Sequence, residues 1–119
     1  MNLLSVDAGS PVPPYEQLRS QVVAAVDAGD LAPGERLPPV RRLAADLGVA
    51  AGTVARAYKE LEADGVVETR GRAGTVVAPR GDAEAEAVAA AGAYAERVRR
   101  LGLDPERAVA LVRAALGPA

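Results

Sequence analysis

LPPVRRLAADLGVAAGTVARAYKEL, residues 37–61, carries apolar spacings that predict two short amphipathic helices joined by a tight turn at Leu47-Gly48-Val49. The first helix begins near Pro39. Val40, Leu43, Ala44 and Leu47 recur at helical spacing, and Gly48 supplies the stop. The second covers residues 51–64. Val54, Tyr58 and Leu61 form its buried stripe in steps of four and three, and Gly65 ends it. Thr53, Arg56, Lys59 and Glu60 fall on the opposite face. Directly after, residues 66–69 and 75–78 predict two strands around Arg70-Gly71-Arg72-Ala73-Gly74, whose glycines supply the positive φ that a tight hairpin needs. Helix, turn, helix and basic hairpin together form a winged helix-turn-helix, an arrangement suited to holding duplex DNA.

On the N-terminal side, residues 1–12 contain Gly9, Ser10 and Pro11 and predict an extended arm. Pro13 and Pro14 then open a helix, where a missing N–H costs least. Tyr15, Leu18, Val22 and Val26 carry it to Ala28, with Gly29 as the stop. Asp30-Leu31-Ala32-Pro33-Gly34 is a turn, and Arg36-Leu37 a short strand before Pro38. Past the boundary at Pro79-Arg80-Gly81 the composition becomes Ala-rich. A helix over residues 82–101 has Glu early and Arg97, Arg99 and Arg100 late, as the helix dipole favours. Val88, Ala91, Ala95 and Val98 make a narrow seam of small residues that lets another helix approach closely. Asp104-Pro105 starts a last helix with apolar face Ala108, Leu111, Val112, Ala115 and Leu116. The expected organisation is an arm (1–12), a winged helix-turn-helix domain (13–79) and a helical region (82–117). The expected fold is mainly α with a small antiparallel β wing and a C-terminal pair of helices.

Composition narrows the chemistry. The 119 residues contain no Cys and no His. That excludes a disulfide framework, a thiolate metal site and catalysis by either side chain, and no catalytic residue, metal or cofactor is expected. Half the residues are apolar, mostly Ala and Val, with no Phe or Trp. Such side chains bury little area each, so a second copy sharing the burial would help. The formal net charge is −2, yet Arg41, Arg42, Arg56, Lys59, Arg70, Arg72 and Arg80 all lie between residues 41 and 80. A duplex responds to that local field, provided the intruding acids Asp46, Glu60, Glu62, Asp64 and Glu68 point away from phosphate. Glu84 and Glu86, or Glu60 and Glu62, are i, i+2 on helices and do not face each other as an acid–base pair would. Gly71-Arg72-Ala73-Gly74 lacks the Gly-Lys-Ser/Thr ending of a phosphate loop. No secretory signal and no membrane-spanning stretch is legible, and a cytoplasmic location is expected.

These residues resemble the GntR family of bacterial transcription regulators over residues 14–79. The resemblance is carried by Tyr15-Glu16-Gln17-Leu18, Ala32-Pro33-Gly34-Glu35-Arg36-Leu37-Pro38, Val40-Arg41-Arg42-Leu43-Ala44, Leu47-Gly48-Val49, Thr53-Val54-Ala55-Arg56-Ala57-Tyr58, Leu61-Glu62-Ala63-Asp64-Gly65 and Gly71-Arg72-Ala73-Gly74-Thr75-Val76-Val77. With some forty residues left beyond the wing, the chain is similar to the small YtrA-type branch, whose tail is a pair of dimerising helices and whose members often regulate transporter operons. The resemblance implies DNA contacts at Arg41, Thr53, Arg56, Arg70, Gly71 and Arg72, to which the outer face of the second helix adds Lys59; it implies dimerisation by the tail, where the seam and apolar face offer Val88, Ala91, Ala95, Val98, Leu111 and Val112. It departs from the family pattern at Ala50-Ala51-Gly52, where a polar opening with a hydroxyl or amide cap is customary.

The expected function is a sequence-specific, homodimeric repressor. It would bind double-stranded DNA at an inverted repeat whose half-sites lie about one helical turn, ~34 Å, or a multiple of it apart. A small-molecule effector has a place in such a scheme, but no residue marks its pocket. The alternatives are an architectural protein that binds DNA without sequence preference and a winged helix that docks protein. For the single residues, Tyr15 and Tyr58 are expected in the core. Arg41 and Lys59 are expected on phosphates, Arg56 on a base, and Arg72 in the minor groove.

Overall fold

Pro13 precedes and Pro14 starts α1 (Pro14–Asp27) in the computed structural model, which describes residues 4–118. The chain divides between Arg80 and Gly81 into two units. In the first, α1 buries Leu18, Val22 and Ala25. It is followed by α2 (Val40–Leu47) and α3 (Ala51–Ala63), and α3 packs against both earlier helices. The turn between α2 and α3 rests on Gly48, which is left-handed at φ 69°, while the Val49 N–H closes back onto the Ala44 carbonyl at 3.0 Å. A Cβ would be strained at that φ, so glycine ends α2 and sets the exit towards α3.

The core gathers Leu18, Val22, Leu31, Leu37, Leu43, Val54, Tyr58 and Leu61, closed by Val67 and Val77 of the wing. Several members, among them Ala25, Leu31, Ala57 and Leu4, were not assigned to the core from the sequence. Ala57 lies fully buried between Val54 and Leu61, its methyl small enough to let α3 pack closely. Leu4 comes from the arm, which is docked on α1 by two glutamines. Gln21 accepts from the Ser5 N–H at 2.9 Å and donates to the Ser5 carbonyl at 2.8 Å. Gln17 treats Asp7 the same way, at 2.8 and 3.0 Å. Ser5 and Asp7 are thus held as if paired to a strand edge, whereas residues 8–12 turn rather than extend, with the Ser10 N–H on the Asp7 carbonyl at 3.2 Å; residues 1–3 of the expected arm lie outside the described residues.

The wing consists of β1 (Val67–Thr69) and β2 (Thr75–Val77), antiparallel, with Val67 opposite Val77 and Thr69 opposite Thr75. Both strands are one residue shorter than the sequence suggests. At the start of β1, Val66 commits its N–H to the Leu61 carbonyl at 2.9 Å, closing the end of α3. The strand expected at Arg36-Leu37 is a single bridge, Arg36 to Val76, because Pro38 has no N–H to extend it. That short edge is still well bonded. Gly34 N–H donates to the Val77 carbonyl at 2.8 Å, Val77 N–H to Glu35 at 2.9 Å and Leu37 N–H to Thr75 at 2.8 Å.

Tyr58 ties α3 to the same edge, its hydroxyl donating to the Pro38 carbonyl at 2.7 Å. Burial pushes this phenol up from 10.0 to about 12. The native state therefore holds its proton where the unfolded chain has released it. The contribution to stability is complete below about pH 10 and is lost as pH rises through about 12. Stability against denaturant is expected to fall more steeply over that window in the native sequence than in Tyr58→Phe; equal slopes would show that the phenol does not titrate with unfolding.

The second unit is α4 (Asp82–Leu101) and α5 (Pro105–Leu116). Gly102 (φ 76°) ends α4, and the Asp104 side chain caps α5 by accepting from the Arg107 N–H at 2.9 Å. The Tyr94 hydroxyl donates to the Ala108 carbonyl at 2.8 Å, linking the two helices. Val98 and Ala108 are the buried apolar residues of this unit. Leu101, Val109, Leu111, Val112 and Leu116 stay exposed. Among the described residues no helix is long and apolar enough to cross a membrane.

Candidate nucleic-acid interface

The buried side of α3 decides what its other side offers. With Val54, Ala57, Tyr58 and Leu61 turned inward, a period of about 3.6 residues places Gly52, Arg56 and Lys59 opposite them and Thr53 at the flank. Thr53 is half-buried, while Gly52, Arg56 and Lys59 are exposed. The helix opens at Ala50 with no side-chain cap. No side chain covers its first turn, where the Thr53 N–H donates to the Ala50 carbonyl at 3.0 Å, and Gly52 adds no Cβ to keep a phosphate at a distance.

Arg41 and Arg42 are both exposed in the first turn of α2. Arg42 also lines an open cleft of about 400 Å³ with Arg36, Pro38, Pro39 and Asp46. At the wing tip, residues Gly71–Ala73 form one 3-10 turn between Gly71 (φ 46°) and Gly74 (φ 74°). Both positions need the freedom of glycine. The turn leaves Arg72 exposed at its centre. Among the described residues, no carboxylate lies within 4.0 Å of the charged groups of Arg41, Lys59 or Arg72, since none of the ion pairs involves them.

The other two cations expected on DNA, Arg70 and Arg56, are engaged. Arg70 is half-buried and bridged to Glu68, and its N–H donates to the Gly74 carbonyl at 2.8 Å, so it braces the hairpin. Alternation along a strand puts residues 68 and 70 on one face, and that signal was present in the sequence. Arg56 donates from Nε to Oε2 of Glu60 at 3.3 Å and lies 3.6 Å above the centroid of the Tyr15 ring. The Glu60 partner follows from i, i+4 spacing; the Tyr15 contact has no local signal.

Of the five acids among these cations, Glu60, Glu62 and Glu68 are likewise occupied, while Asp46 and Asp64 hold no ion pair among the described residues. Glu62 accepts the Thr69 N–H at 3.2 Å, and Glu60 and Glu68 hold Arg56 and Arg70. On α1, Arg19 binds Glu16, its Nε at 2.9 Å, and lies in the field of Asp64 and Glu60. The Arg19 hydrogen bond holds the Glu16 carboxyl below its ordinary range. Among the described residues of the first unit, the cations without a carboxylate within 4.0 Å are Arg36 before α2, Arg41 and Arg42 on α2, Lys59 on α3 and Arg72 on the wing.

Of the residues expected at a dimer interface, Val98 is already buried within one chain. Val88 and Ala95 are half-buried and Ala91 is exposed. Leu111 and Val112 retain 39% and 38% exposure, leaving apolar surface for a partner. Leu101, Val109 and Leu116, which the sequence reading did not assign to an interface, are more exposed still.

Comparison with known proteins bears on this arrangement directly. Residues 8–77 match the family described as bacterial regulatory proteins, gntR family. The HTH-type transcriptional regulator Rv1152 of Mycobacterium tuberculosis is 53% identical over 100 residues, covering 84% of this chain and 83% of that protein. The HTH-type transcriptional repressor YtrA of Bacillus subtilis is 42% identical over 71 residues, which is 59% of this chain and 55% of the repressor. The chain therefore spans about half the length of that second relative. The solved structure of YtrA from Sulfolobus acidocaldarius, a GntR-family transcription factor, superposes with a TM-score of 0.63 at 31% identity, over 79% of this chain and 99% of that one.

Proposed function

From the premise that this chain belongs to the GntR family of transcription regulators and carries its DNA-binding domain, we propose that it is a homodimeric repressor acting on an inverted-repeat operator. The carrying observation is that Arg41, Lys59 and Arg72, each exposed and without an acid partner among the described residues, fall on three successive elements of a winged helix. In this reading α3 enters the major groove, with Thr53 beside the helix tip and Arg56 reading guanine. Arg41 and Lys59 hold phosphates, and Arg72 enters the minor groove from a tip shaped by Gly71. Arg70 acts on the wing's shape. The exposed apolar residues of α4 and α5 join two copies about a two-fold axis, and symmetric half-sites follow. The repressor role is supported by the name of the Bacillus relative.

The test is selection of duplexes from a random-sequence pool by the full chain, followed by Arg56→Ala. The substitution is expected to cost about 1–3 kcal/mol on the selected duplex and to flatten preference at one base pair. An equal loss on random DNA would reduce Arg56 to a backbone contact. Failure of any sequence to enrich would turn the reading to an architectural protein.

A further inference from the structure

We infer that Tyr15 and Glu60 are positioning residues that hold Arg56 as a preset two-donor fork for a base, and so set operator specificity without themselves contacting DNA. This rests on the reading of Arg56 as a base contact and adds how that contact is prepared. Three observations carry it. The Tyr15 ring is itself packed against the core, so it is a fixed platform. The Arg56 guanidinium carbon sits 3.6 Å above the centre of that ring. Glu60 takes the Nε–H at 3.3 Å, and among the described residues neither Nη atom has a partner.

The guanidinium is thereby held from below and from one edge, and the edge left open is the one that presents two parallel N–H donors. Such a fork matches two adjacent acceptors such as guanine O6 and N7. An arginine on an exposed helix ordinarily loses side-chain entropy when it docks. One already stacked and braced loses less, and the gain appears only where the two acceptors are present. Phosphate oxygens offer acceptors in many orientations, and the Glu60 carboxylate opposes their approach. The cradle therefore favours the operator over random DNA, where a mobile arginine would favour both.

The probe is the duplex selected from a random-sequence pool, with a scrambled duplex as reference, and the full chain throughout. Tyr15→Leu is expected to weaken the selected duplex roughly two- to five-fold, the range of an exposed cation–π contact, and to leave the scrambled duplex unchanged. Tyr15→Phe, which keeps the ring, is expected to restore the native ratio. Glu60→Gln should tighten the scrambled duplex and narrow the ratio. In an Arg56→Ala background Tyr15→Leu should have no further effect, a non-additivity that a merely structural tyrosine would not give. Additive losses in that double variant, or equal losses on both duplexes, would overturn the inference while leaving Arg56 as the reader. If Tyr15→Leu fails to fold, a Tyr15→Phe chain whose selected-to-scrambled ratio drops would overturn it too. Failure of the base-contact reading shows separately, as an Arg56→Ala chain with unaltered base preference.

Discussion

A chain ended at Gly81 is expected to sediment as a monomer and to bind its selected duplex ~10²–10⁴-fold more weakly than the full chain, the range by which tethering a second binding module raises avidity. The shortened chain should still fold. Every member of the buried core cluster, from Leu4 to Val77, lies ahead of the boundary at Arg80 and Gly81. What it loses is the unit whose buried apolar residues are Val98 and Ala108, and whose Leu101, Val109, Leu111, Val112 and Leu116 face outward. In the proposed dimer, a helix pair with so little buried of its own and so much apolar surface exposed gains stability from association. The base preference of the shortened chain should match that of the full chain, because the contacts within one half-site are intact. A truncated chain that sediments as a dimer would place the interface in the winged domain.

Leu61→Ala is expected to lower stability by about 2–5 kcal/mol, the usual range for a fully buried leucine. Its side chain is 0% exposed, on the face of α3 turned towards the core. Set against the roughly 5–15 kcal/mol that holds a domain together, this single change removes a large part of the margin. Apart from Tyr58 the core is Ala, Val and Leu, without Phe or Trp, so few large side chains can close around the cavity. Chemical denaturation followed by circular dichroism would give the value. Binding at low temperature should keep its base preference, since Arg56 and Lys59 are on the opposite side of the helix. A change below ~1 kcal/mol would mean that the site collapses around the smaller residue.

Much of this architecture is written locally. The stops at Gly48, Gly65 and Gly102 are positive-φ glycines, and the steps Val54, Tyr58, Leu61 and Leu43, Ala44 mark the inward faces of α2 and α3. Those features depend on neighbours within one or two helical turns, which periodicity captures. Features made by distant segments were hidden. Leu4 belongs to an arm with no periodicity, and its place is fixed by Gln17 and Gln21, ten and sixteen residues from their backbone partners. The stacking of Arg56 on Tyr15 joins α3 to the first turn of α1. Ala57 was hidden for another reason: in a chain so rich in alanine, one more carries no signal until packing selects it. Arg70 shows the opposite case, because strand alternation already placed it beside Glu68, but its company at the wing tip suggested a shared role with Arg72.

The bonds from Gly34, Glu35 and Leu37 to β2 do more than complete a small sheet. The same short segment leads into Pro38, whose carbonyl receives the Tyr58 hydroxyl from the middle of α3. Wing and α3 are thus bonded to one short segment. In the proposed docking, a push on the hairpin in one groove would be delivered to the helix in the neighbouring groove as a change of tilt, and the two would not sample a binding site independently. Spacing between a narrow-groove feature and the bases read beside it is then fixed by the protein's own stiffness, so inserting a base pair between them should be tolerated far less well than changing either one.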